Sequence, residues 1–580
     1  MLKFFKKTLI SAMSTLLSLA VVLIVMVGVF MVMQGRGPDI EDHSWLVVDL
    51  YGDVLEYDPP GDIMGKVLGG DGETLTRILD NLDKAALDER IDGVIFRLSS
   101  THNAGPGKLE EMRNAVKRVQ AAGKPVFAWG DAMDNSALFV ASACDSIFMP
   151  GGGYFQVKGL HAGSLHVRGM LEKLGITPYL HKIKDYKAAT EMVMDSEMSE
   201  YAREMLTWIL DEVWDMTIPV IAEERGMTEQ QLIELMEYAE FEPSEAVAAG
   251  LIDEVLYWQD MEARYKLDDE DGLRTVSMAT YAEVSWKDVG VKGDRTVAVV
   301  HAQGNIGGRK NRIDPLLGTM MGHESIIAEL RRCRFDDDVE AVVFRVDSGG
   351  GESLASDLIA HEIDLLAGVK PVVVSMVDVA ASGGYMISFR APNLMANSLT
   401  ITGSIGSING FFDLSGFRDK VGLNVDHVTK GPMAMLGTDD RAPTSAEWER
   451  HADAHWKSFN TWLQDVADRR GMAFEDAEKL AHGRIWTGRQ AVANGLIDRT
   501  GDLRDAVTWA AELAEFGDDQ VIRVVHLPES KGLLATILSG EDAGGDVALS
   551  LKSALWSLMR QDVGETARFL QSGAANVVTP

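Results

Sequence analysis

The sequence predicts an α/β protein built from two tandem copies of one domain behind a single N-terminal transmembrane helix. Three observations point there: an uncharged apolar run near the amino end, four blocks of sequence that return at nearly constant offset, and strand-length apolar runs alternating with amphipathic stretches. At 580 residues the chain is also too long for one hydrophobic core. A formal net charge of -33 argues against nucleic acid or an anionic lipid surface as the main partner. Two cysteines, Cys144 and Cys333, make neither a disulfide framework nor a metal site.

The anchor comes first. Thr8–Met33 holds no charged residue. As a helix it would reach about 39 Å, enough to cross a bilayer core of about 30 Å. A cleaved signal peptide would have a shorter apolar core and a small-x-small site, and "VFMVMQGRG" offers none. Lys3, Lys6 and Lys7 precede the run and only Arg36 closely follows it, which keeps the amino end cytoplasmic and puts the rest outside. Residues 1–36 therefore read as a cytoplasmic stub and uncleaved anchor, with 8–33 in the lipid bilayer.

The repeat follows. "IDGVIFRLSS" (91–100) returns as "VEAVVFRVDS" (339–348), and "GKPVFAW" (123–129) as "VKPVVVS" (369–375). "RGMTEQQLIEL" (225–235) returns as "RGMAFEDAEKL" (470–480), and "AVAAGLIDEV" (246–255) as "AVANGLIDRT" (491–500). The first copy spans 45–290 and the second 291–525. Each begins with β-branched runs, "SWLVVDL" and "TVAVVHA", and continues through "GVIFRL" or "AVVFRV" and "PVFAW" or "PVVVSMV". Helical stretches such as "ESIIAELRRC" separate them, so each copy should hold a buried, mostly parallel sheet. A longer helix follows in each copy. The tail, 526–580, has no counterpart and contains one helical face of Leu551, Leu555, Leu558 and Met559, suited to packing or oligomer contact.

Three glycine-rich pieces cluster in the second copy: "FRVDSGGGES", "AASGGY" and "TGSIGS". Glycines after strands leave backbone N–H groups bare and admit a carbonyl, as an oxyanion hole requires. Ser382 with the Gly383 N–H, facing an N–H of Gly350 or Gly351, would suit acyl transfer. A serine needs a base, yet no histidine lies between His361 and His427. The copies suggest another partner. Asp185-Tyr186-Lys187 falls opposite Gly431-Pro432-Met433, while Ser382 falls opposite Asn135 or Ser136 with no Gly-Gly after it. One copy keeps the lysine and the other the glycine-framed serine, as a site shared between them would. His427 and His361, and Lys430 and Lys184, are the rivals.

"DYKAATE" with Lys187, "FRVDSGGG", "AASGGY" and "TGSIG" together resemble the long, two-repeat, membrane-anchored form of bacterial signal peptide peptidase A, peptidase family S49. The resemblance implies tandem Clp-protease/crotonase-like α/β domains and a Ser/Lys dyad assembled across the copies. It makes Ser382 the nucleophile, Lys187 the general base and Ser404 the residue that orients the lysine. It further implies a homotetramer, apolar peptide substrates such as signal peptide remnants, no cofactor or metal, and a bacterial inner-membrane location with periplasmic catalytic domains. The family's Ser-Pro-Gly-Gly reads Ser348-Gly349-Gly350-Gly351 here, which leaves the oxyanion glycine open.

Such a mechanism makes a demand. Lysine ordinarily titrates near 10.4, so about three units must be removed by desolvation or a nearby cation. With 88 carboxylates in the chain, and Glu191 one helical turn beyond Lys187, the amine has to be shielded. Lys182 and Lys184 read as surface or substrate-steering charges. A non-catalytic membrane scaffold and a crotonase-like acyl-transfer enzyme are the alternatives from other classes.

Overall fold

The computed structural model describes residues 38–58, 73–268, 272–314, 317–517 and 520–529. The anchor expected over 8–33 and the helical face expected over 551–559 lie outside them. Among the described residues no helix is long and apolar enough to cross a membrane.

Two eight-stranded sheets carry the chain, one from each repeat. The first is built around the parallel strands Ser44–Leu50, Ile91–Ser99 and Val126–Met133. The second repeats that plan with Arg295–Gln303, Ala341–Ser348 and Val372–Ala381. These runs are mostly apolar, as strands buried on both faces require. Val342, Val343, Phe344, Val373 and Val374 have no exposed surface. In the second sheet the edge strand Ile522–Leu527 pairs with Arg295–Gln303, so that domain runs past 525, to Leu527.

The long helices expected after each sheet are Glu200–Glu224 and Ser445–Arg470, each capped by a threonine or serine hydroxyl. Many contacts join the repeats, and three features stand out. Helix Pro106–Ala121 of the first lies against the end of Val372–Ala381 in the second. Arg345, fully buried, bonds Glu56 at 2.8 Å and Glu111 at 2.8 Å in the first repeat. A two-stranded antiparallel ribbon pairs Thr177–Lys182 with Ile408–Asp413. That ribbon positions the site.

Candidate active site

Strand Val372–Ala381 ends at Ser382, whose φ of 56° and ψ of -115° lie outside the ordinary wells, and helix Gly383–Met386 starts at once. A non-glycine residue stays in such a conformation only when its surroundings hold it there. Here the Ser382 N–H donates to the Gly403 carbonyl at 2.9 Å, and the Ser382 carbonyl accepts from Met386 N at 2.9 Å. The side chain is half-buried at the surface of the turn.

Strand Ala341–Ser348 ends beside it in the glycine run. The Gly350 N–H donates to Ser348 Oγ at 3.2 Å. The backbones meet so closely that a Cβ on Gly350 would stand 2.6 Å from Gly383 N, and one on Gly383 would stand 2.9 Å from Gly351 N. Of the two glycines left open by the sequence, Gly350 already has an internal acceptor. The backbone nitrogens of Gly351 and Gly383 both belong to this close approach.

Lys187 arrives from the first repeat. The ribbon ends as Ile183 N donates to Ser407 O at 3.1 Å, and Tyr186 and Ala188, on either side of Lys187, pack against the cluster that holds Ile401 and Ile485 of the second repeat. The Lys187 Nζ donates to Ser404 Oγ at 2.8 Å and to Ser404 O at 3.2 Å. Ser404, almost wholly buried with φ of 50°, donates its own N–H to Arg484 O at 2.6 Å. Consecutive residues thus hold both candidates: Gly403 binds the Ser382 backbone and Ser404 the Lys187 amine. Burial alone pushes that amine down to about 7.

Glu191 does not reach Lys187. Lys187 caps a 3-10 turn, Ala188–Thr190, rather than lying inside a helix, so the i,i+4 geometry fails. The Glu191 carboxylate accepts instead from Ser199 N at 2.9 Å, Ser199 Oγ at 2.6 Å and Lys182 Nζ at 3.4 Å. Lys184 bonds Glu478 at 2.8 Å. His361 is exposed on helix Ser353–Ala367, His427 lies 3.5 Å from Asp440, and Lys430 is exposed.

Tyr186, next to the lysine, supplies a seat that the sequence reading missed. The Arg484 guanidinium stands 3.8 Å from its ring centroid, its hydroxyl donates to Glu204 at 2.8 Å, and Trp208 stacks on both Tyr186 and Trp486. Gly483, at φ of 87°, lets the Lys187 backbone lie against it, since a Cβ would come within 2.5 Å of Lys187 N. Glycine in "HGRIW" was the one local signal for this contact.

The family model of Peptidase family S49 matches this chain twice, over residues 118–271 and 364–517. The chain belongs to peptidase family S49. Among curated relatives, "Serine protease SPPA, chloroplastic" of Arabidopsis thaliana is 31% identical over 475 residues, 81% of this chain and 70% of that protein. "Protease 4" of Salmonella typhi is 28% identical over 529 residues, 86% of this chain and 83% of that protein. A "Putative signal peptide peptidase SppA" of Enterococcus faecium is 30% identical over 201 residues, 34% of this chain and 58% of that protein. This S49 chain is a serine peptidase of two repeated domains.

Proposed function

We propose that this peptidase is anchored by residues 8–33 and cuts short apolar peptides, signal peptide remnants among them, with Ser382 as nucleophile and Lys187 as general base. The observation that carries the reading is the Lys187–Ser404 contact across the repeats, one residue from the carbonyl that holds Ser382. A neutral amine has two N–H bonds and one lone pair. Donating both N–H bonds to Ser404 leaves the lone pair to take the Ser382 hydroxyl proton. Oγ then attacks the scissile carbonyl, and the resulting oxyanion accepts from the Gly351 and Gly383 N–H groups. The Lys187 ammonium returns the proton to the leaving amine, giving an acyl-enzyme on Ser382. Water, deprotonated by the same lysine, hydrolyses that ester and regenerates the site.

The finer fold reading, a Clp-protease/crotonase-like domain, is supported by the strand–turn–helix at Ser382 facing a glycine loop on the neighbouring strand. The uncharged run and its lysine flank support an inner-membrane location with the domains in the periplasm. Self-association is supported by the duplication, and the family resemblance sets its number at four. Thr177–Lys182 of the first repeat corresponds to 424–429 in the second, and Ile408–Asp413 of the second corresponds to 161–166 in the first. The two helices that follow or precede them, Arg168–Leu174 and Ser415–Val421, both end on a left-handed glycine, Gly175 and Gly422. The one equivalent pair forms the ribbon, while 161–166 and 424–429 have no strand partner among the described residues.

A fluorophosphonate probe tests the reading. The wild-type protein in detergent is expected to turn over a fluorogenic leucine- or alanine-rich peptide and to carry the label on Ser382, with both lost in Ser382→Ala. Turnover that survives in Ser382→Ala sinks it; an unlabelled, inactive wild type points to a scaffold.

A further inference from the structure

Four residues before Ser382, on the same strand, stands Asp378, buried. Its carboxylate accepts from the backbone N–H of Gly105 at 3.1 Å and of Lys108 at 2.9 Å. Helix Pro106–Ala121 of the first repeat has no side-chain cap at its own N-cap, Gly105, so the second repeat supplies one. Lys108 then turns its amine back. Its Nζ lies 2.8 Å from Asp347 Oδ2 and 3.1 Å from Asp378 Oδ2. Asp347 Oδ1 in turn accepts from Val379 N at 3.3 Å. Glycine is needed for this approach: a Cβ on Gly105 would come within 2.2 Å of the Asp378 carboxylate carbon, and one on Gly107 within 2.3 Å of Val377 O.

This bridge sits where two strands of the second sheet lose register. Val346 pairs with Met376 but Ser348 pairs with Ala380, so Asp347 alone faces residues 377–379. At such an irregularity the ladder no longer fixes where the strand ends point. Just beyond the ends of these two strands lie Gly351 on one side and Ser382–Gly383 on the other. Burial lowers the pKa of Lys108, and Asp347 and Asp378 more than reverse this, so its ammonium stays charged. Burial raises the pKa of Asp378 against the pull of that ammonium. Charge-assisted hydrogen bonds in a shielded place are the strong ones, and removing one partner leaves the others buried and uncompensated.

We propose that Lys108 is a positioning residue for the oxyanion site, an ammonium from the first repeat that fixes the spacing of the Gly351 and Gly383 N–H groups in the second. This rests on the reading of Ser382 as nucleophile with those glycines as donors. The Lys108 amine bonds Asp347 and Asp378. It acts through Asp347 and Asp378, and its loss weakens stabilisation of the transition state rather than peptide binding.

The test uses the full chain in detergent with Ser382→Ala as control. In Lys108→Met, kcat is expected to fall about 10- to 100-fold, as when an oxyanion donor is displaced, with KM changed less than about twofold. A peptide aldehyde, whose hemiacetal oxygen needs the same donors, should lose affinity in step with kcat. The matching peptide alcohol should bind as before. The pH–rate midpoint should stay where Lys187 puts it, and Lys108→Arg should recover part of the rate. Wild-type kcat in Lys108→Met overturns the proposal, as does equal weakening of aldehyde and alcohol. If Lys108→Met does not fold, Asp378→Asn carries the same expectations and the same refutations. Turnover lost in Ser382→Ala but unchanged in Lys108→Met refutes this inference alone; turnover surviving in Ser382→Ala refutes the reading beneath it.

Discussion

A lysine serves as a base only in its neutral form, and burial without a carboxylate partner brings Lys187 down to about 7. The rate constant kcat/KM should therefore rise with pH through a midpoint near that value and be abolished at every pH in Lys187→Ala. A wild-type profile in that variant would return the role to a histidine. The same burial has a thermodynamic side. An unfolded lysine stays protonated up to about 10.4, so between that pH and about 7 the unfolded chain binds a proton that the folded one has released. Stability then rises with pH across this window and the penalty is full below it, about 5 kcal/mol at most. Lys187→Met, which fills the same space without a charge, should melt above wild type. The gap should be widest at and below neutral pH and close as pH approaches the unfolded value. A variant melting at or below wild type at pH 6 would show that the amine is not desolvated. Function and stability oppose each other at this residue.

At the scale of elements, legibility tracked burial. Strands such as "AVVFRV" and "PVVVSMV" show in the sequence because both faces are covered, and their return in the other copy shows because both copies bury them alike. The ribbon of Thr177–Lys182 and Ile408–Asp413 has no such signature. Its residues are partly exposed, one strand contains Pro178 and the other Gly410, and its partners come from different repeats. The Asp378–Lys108 bridge is equally silent, since neither residue's neighbours announce a contact 270 positions away. Ser382 and Lys187 could be nominated because one copy keeps a base and the other a glycine-framed nucleophile, whereas Arg484 and Tyr186 carry no chemistry that marks them as partners in a single sequence. The ribbon is also where an element can be tested. A Cβ on Gly410 would stand 2.0 Å from Tyr179 O, so Gly410→Val must part the strands there. Since the ribbon carries Lys187 and neither eight-stranded sheet, peptide turnover should fall by more than about 100-fold, the scale of losing a positioned base. The far-ultraviolet circular dichroism should stay as in wild type. Normal turnover in that variant would mean that the ribbon does not seat the lysine.

At the scale of the molecule, the duplication leaves half of a symmetrical bargain unmet. Within one chain, Phe412 pairs opposite Pro178 and Asn409 opposite His181. The same register applied to the equivalent segments sets Leu165 opposite Val425 and Ala162 opposite Val428. Leu165 is 66% exposed, Val425 52% and Val428 fully exposed, and 424–429 is without secondary structure. In the proposed assembly a second copy would supply the missing partner, head to tail, and such a heterologous contact closes into a ring if its rotation allows. Apolar side chains on an unpaired backbone segment are otherwise a liability that proteins cover. Light scattering of the detergent-solubilised chain should therefore give an assembly mass for wild type and a single-chain mass for Leu165→Asp or Val425→Asp. Combining Leu165→Asp with Val425→Lys should restore the assembly, because the new charges would face each other across the joint. Assembly that survives both single variants would place the interface elsewhere. Because Lys187, Ser404 and Ser382 meet within one chain, the dissociated variants should still cleave a short peptide, which separates the assembly of the ring from the assembly of the site.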